Sequence, residues 1–113
     1  LIFKNLIQDH KIENLGIIIS DTFGRPWRVG QTNISIGSYG ITPLIDYQNN
    51  TDAFGKKLNT TKICIVDELS GGAEILMEKA LKIPIVLIRG VKFQFSVKGS
   101  KEILREKNLD LFR

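Results

Sequence analysis

The sequence predicts an α+β domain in which a long amphipathic helix packs on a mixed sheet, and three observations predict it. Residues 15–20 (LGIIIS) and 84–89 (PIVLIR) are short continuous apolar runs rich in β-branched side chains, the pattern of buried strands. Between them, Ile63, Val66, Leu69, Ala73, Leu76, Met77 and Ala80 recur at three- and four-residue intervals, as one face of a helix does. Strand and helix patterns then follow one another irregularly, without the strict alternation of a βαβ array.

Taken in order, residues 1–10 place Ile2, Phe3, Leu6 and Ile7 at helical spacing. The first strand over 15–20 stops at Asp21, and Gly24, Pro26 and Gly30 mark 21–31 as a loop. Residues 33–36 alternate polar and apolar and predict a second strand. A polar loop over 46–57 with a turn at Gly55 leads to the long helix, for which Thr60 or Thr61 is the expected N-cap. Gly71 and Gly72 lie inside that helix, where each costs about 1 kcal/mol relative to alanine. Close approach of a neighbouring backbone is the expected reason for both. The strand over 84–89 ends at Gly90, residues 92–97 extend the pairing, and Ser100 caps a short helix over 101–105.

Composition narrows the function classes. The chain has 113 residues, 42% hydrophobic and 25% charged, which suits one globular domain rather than a disordered segment. It opens on Leu1 in mid-helical pattern, so a piece of a longer protein is expected. No apolar run is long enough to span a bilayer. With one cysteine, Cys64, neither an internal disulfide nor a cysteine-based zinc cluster can form, and a cytoplasmic setting is expected. The net charge of +4 is too small and too evenly spread for nucleic acid, and no basic run is interleaved with aromatics. It does suit a small anion such as a nucleotide. A single histidine, His10, rules out Ser-His-Asp and Cys-His catalysis, and no P-loop or dinucleotide fingerprint is present.

The chemistry-bearing segment is SDTFGRPWRVGQ, residues 20–31. Asp21 and Thr22 offer a carboxylate and a hydroxyl, hard oxygen donors suited to Mg²⁺ or Mn²⁺. Arg25 and Arg28 follow within seven residues and suit a phosphate. An Asx-turn with surface arginines explains the same spacing without chemistry. Glu68, with Asp67 as its rival, lies early in the long helix and could join a metal site with Asp21, although the helix dipole alone favours acids there. Ser100, beside Lys98, could contact a phosphate, or simply cap a turn.

The blocks DTFGRPWRVGQTNISIG, GITPLIDY, TDAFGKKLNTT, VDELSGGAEILMEKA, IPIVLIRG and GSKEILREKNLDLFR, in that order, resemble the C-terminal portion of the coenzyme F-420:L-glutamate ligase family from about Gly16 to Arg113. The resemblance implies the C-terminal part of that family's fold, a single domain over residues 1–113 whose N-terminal half lies outside these residues. It implies a cytoplasmic homodimer that uses GTP and Mg²⁺ or Mn²⁺ to join L-glutamate to the deazaflavin precursor F-420-0 through an acyl phosphate. Residue by residue, Asp21, Thr22 and Glu68 would be metal ligands, Arg25 and Arg28 catalytic, and Gln31 and Ser100 nucleotide contacts. The family's second metal carboxylate falls in the N-terminal half, and Ser35–Gly40 and Gly71–Gly72 depart from the alanine-rich pattern expected there. Two other readings are a ligase-like binding or assembly domain without activity, and an amide ligase with a different acceptor.

Overall fold

A computed structural model describes residues 2–10, 12–48 and 50–110. The order is helix α1 (Ile2–His10), strands β1 (Ile17–Gly24), β2 (Gln31–Tyr39), β3 (Leu44–Asp46) and β4 (Lys62–Cys64), helix α2 (Ile65–Met77), and two 3-10 turns, Gly99–Ile103 and Lys107–Leu109. The class is α+β, as expected. The sheet is not mixed: β1 pairs antiparallel with β2, and β3 with β4, in two separate two-stranded sheets.

The β1–β2 hairpin is the longest element and corrects the first strand boundary. Asp21 does not end a strand; it sits inside one, opposite Ile34. Apolar content had marked the strand only as far as Ser20, but the backbone ladder runs on to the pair Gly24 and Gln31. Between the pairs Ile19–Gly37 and Ser20–Ser35, β2 carries one extra residue, Ile36. This bulge breaks the in-out alternation and leaves Ile19 and Ile36 exposed. Residues 25–30 close the hairpin in an exposed turn, with Trp27 at φ 56°.

Helix α2 has 13 residues and starts at Ile65, not near Thr60, because residues 62–64 are taken by β4. Neither threonine caps it; Cys64 stands at the N-cap without a side-chain hydrogen bond. Burial pushes the Cys64 thiol up to about 11, and the neighbouring Asp67 adds to the shift. The helix buries Val66, Ser70 and Ala73, spaced four and three apart, while Ile75 and Leu76 face outward. It ends where Glu78 takes a left-handed conformation at φ 47°.

Only one of the two helix glycines is there for close approach. A Cβ on Gly71 would meet Thr32 Oγ1 at 3.3 Å, whereas nothing lies within 4 Å of one on Gly72. Gly72→Ala should therefore stabilise the protein by about 0.5–1 kcal/mol through helix propensity alone. Thermal denaturation beside Gly71→Ala checks this; a lower midpoint for Gly72→Ala would refute it.

The apolar run at 84–89 forms no strand, and neither does 92–97. Residues 94 and 96 offer carbonyls to the Thr42 and Gly40 N–H groups, at 2.8 and 2.9 Å, but no ladder extends along them. Ile85 and Leu87 are 80% and 70% exposed, so hydrophobicity here has no sheet face to fill among the described residues. The expected helix over 101–105 is the 3-10 turn Gly99–Ile103. The buried apolar core is accordingly small, formed by Ile41, Pro43, Val66 and Ala73 where α2 and the 41–43 segment meet the hairpin.

Candidate functional site

Helix α2 lies along β2, and polar side chains make the join. Asn33 and Ser35 are two residues apart on β2 and share a face. Asp67 and Glu74 are seven apart on α2 and share a stripe. Asp67 Oδ1 accepts the Ser35 N–H at 2.9 Å, and Glu74 Oε2 accepts from Asn33 Nδ2 at 2.7 Å. The two acids thus fix the register of helix on hairpin.

The second of these joins carries a chain of hydrogen bonds across to β1. Thr22 pairs with Asn33 in the ladder, and its hydroxyl donates to Asn33 Oδ1 at 3.3 Å. Asn33 is buried, so both ends of its amide are committed. Having given its proton to Asn33, the Thr22 oxygen presents its lone pairs outward. There it accepts from Lys79 Nζ at 2.6 Å, and the same ammonium pairs with Glu74 Oε1 at 3.0 Å. The left-handed Glu78 lies between the end of α2 and Lys79. Thr22, Asn33, Glu74 and Lys79 form one closed ring of hydrogen bonds.

The other expected site residues are distributed around this network. Asp21 is exposed and accepts its neighbour's N–H, from Thr22, at 2.7 Å. Strand alternation directs it away from the Thr22 side chain. Glu68 is exposed on α2, while its rival Asp67 is engaged with Ser35. Arg25 and Arg28 lie in the exposed hairpin turn, and Gln31 is the first, exposed residue of β2. Ser100 belongs to the opposite end of the hairpin: its hydroxyl lies 2.7 Å from Ser35 Oγ and donates to Ser38 Oγ at 3.0 Å. Ser35 stands roughly 13 Å along the strand from Gln31. Thr22 is therefore gathered with three residues that the sequence reading did not single out, Asn33, Glu74 and Lys79. No local pattern singles them out; only the docking of α2 on β2 brings the Asn33 face against the Glu74 stripe.

Oxygen donors of this kind suit a hard divalent cation. Among the described residues no group of three or more Asp, Glu, His or Cys side chains is placed to cage one. The network brings one carboxylate, Glu74, to one hydroxyl, Thr22, a pair that fits an ion keeping waters and phosphate oxygens in most of its shell, as Mg²⁺ does.

Residues 3–90 match the family described as F420-0:Gamma-glutamyl ligase. The chain belongs to this family. It is 41% identical over 102 residues to the coenzyme F420:L-glutamate ligase of Methanocaldococcus jannaschii, covering 89% of this chain and 41% of that protein. The ligase of the same name from Methanosarcina mazei is 43% identical over 103 residues, with 89% and 41% covered. That from Methanothermobacter thermautotrophicus is 37% identical over 110 residues, with 95% and 44% covered. The chain thus spans less than half the length of these relatives. Among the described residues no helix is long and apolar enough to cross a membrane.

Proposed function

We propose that the protein containing this chain is a GTP- and divalent-metal-dependent ligase that forms an amide between L-glutamate and F-420-0. Family membership supports the γ-glutamyl ligase activity, and the oxygen-lined Thr22–Asn33–Glu74 network is the observation that supports the metal-dependent part. A carboxylate resists attack by an amine at neutral pH, so it must first be activated. In the proposed route the GTP γ-phosphoryl group passes to the acceptor carboxylate, giving GDP and an acyl phosphate. The glutamate amine then attacks the carbonyl carbon, phosphate leaves, and the nitrogen gives up a proton. Thr22 and Glu74 would hold an ion on their shared side of β1, and Asp21, directed to the other side, would hold a separate one, with Glu68 as a further candidate ligand; such ions would neutralise phosphate charge. Arg25 and Arg28, exposed at the hairpin tip, have the freedom to close over phosphate oxygens and stabilise charge that develops there. Gln31 and Ser100 are the proposed further contacts to the nucleotide. The exposed apolar stretch at 83–88 suits burial against further protein in a homodimer, which sedimentation velocity would reveal as a mass of two chains.

Asp21→Asn tests the assignment. The side chain is exposed and accepts the N–H of its neighbour Thr22, so the urea midpoint should not move. Mn²⁺-dependent amide formation should fall by about tenfold or more. Full activity with unchanged metal dependence would remove Asp21 from the metal site. Absence of GTP binding by the unsubstituted protein, with or without Mn²⁺, would instead favour a ligase-like domain without activity.

A further inference from the structure

The Thr22 and Glu74 oxygens that suit a metal ion are already in contact with a cation of the protein's own. We propose that the Lys79 ammonium is a tethered counter-ion that competes with a divalent metal for these oxygens, so that metal enters only as Lys79 leaves. The inference rests on the metal site proposed above.

Three observations carry it. The network orients the site before any ion arrives: Asn33, held by Glu74, takes the Thr22 proton and so leaves the hydroxyl oxygen as an acceptor. Lys79 Nζ then lies at 2.6 Å from Thr22 Oγ1 and 3.0 Å from Glu74 Oε1, bridging the two oxygens as an ion between them would. Finally, the Lys79 side chain is 67% exposed whereas Glu74 is 25% exposed, so the lysine can swing into water while the acid stays in place. An exposed ion pair of this kind is weak enough to open. A divalent ion and the ammonium cannot share these oxygens, because both are cations and the contact distances overlap. On release, the ammonium remains on a flexible stem at the rim, placed to meet the phosphates that would arrive with the ion.

Competition lowers the apparent metal affinity by the fraction of molecules in which Lys79 is away. Mn²⁺ binding by the purified protein, read from the loss of the free-ion electron spin resonance signal, tests this without any turnover. Lys79→Met should bind Mn²⁺ on the order of tenfold more tightly, whereas Lys79→Arg, which keeps the charge, should stay within about threefold of the parent. Adding Thr22→Val to Lys79→Met should abolish the gain. Equal or weaker binding by Lys79→Met, or a gain that survives Thr22→Val, overturns the competition and leaves the metal-dependent ligase reading standing. No Mn²⁺ binding by the parent or any variant overturns both.

Discussion

Gly40→Ala should destabilise the protein by about 3–5 kcal/mol, a large share of a typical domain's stability. Gly40 follows β2 directly and has φ 79°, a conformation that disfavours any side chain by about 1–2 kcal/mol. It is also buried, and its N–H donates to the Ser96 carbonyl at 2.9 Å. A Cβ there would overlap the Leu15 carbonyl oxygen and the ring of Phe3. The backbone oxygen cannot yield without moving the approach to β1. The Phe3 ring is held edge-on against Tyr39, with centroids 4.7 Å apart. Overpacking therefore adds to the conformational penalty. Gly55→Ala separates the two contributions: Gly55 has φ 81°, but nothing lies within 4 Å of its Cβ position. It should lose only about 1–2 kcal/mol. Urea denaturation of the two variants is the measurement, and equal losses would refute the packing argument.

Gly40 also marks how far the sequence could be read. Its punctuating role was visible, but the contact with Phe3 joins residues 37 positions apart, and no local pattern reports that. The α+β class, helix α1 and the existence of two strands near 17 and 33 followed from hydrophobic period, which local side chains dictate. The apolar run at 84–89 failed as a strand predictor because hydrophobicity marks a wish for burial, whereas a strand also needs a neighbour to accept its hydrogen bonds. Helix α2 was placed three or four residues early because Ile63 and Val66 fit the helical period while residues 62–64 pair with β3. At the site, Asp21 and Thr22 were legible as oxygen donors, although the sequence put them in a loop and not inside β1. Asn33, Glu74 and Lys79 were not, because each reads as ordinary surface polarity until the helix is docked on the hairpin.

Asn33→Asp tests that docked network most sharply, since it changes one atom and almost no volume. The amide nitrogen 2.7 Å from Glu74 Oε2 becomes an oxygen, so a donor facing a carboxylate is replaced by a second acceptor. Asn33 is 6% exposed, and water cannot easily take over the lost bond. At neutral pH the variant must either hold two carboxylates together or take up a proton, and the loss should be about 2–4 kcal/mol. The pairing with Lys79 relieves part of the repulsion but lies on the other Glu74 oxygen. The pH dependence has a definite sign. Sharing a proton raises the folded-state pKa of the new carboxyl pair above the unfolded value. The variant's stability is therefore retained below the unfolded carboxylate range and lost as pH rises through the raised folded value. Urea denaturation of both proteins at about pH 4.5 and 7.5 should show the gap between them small at the lower pH and large at the higher. A gap that is the same at both would mean that Glu74 and residue 33 do not face each other, and Asp67 with Ser35 would then be the remaining acid join between helix and β2.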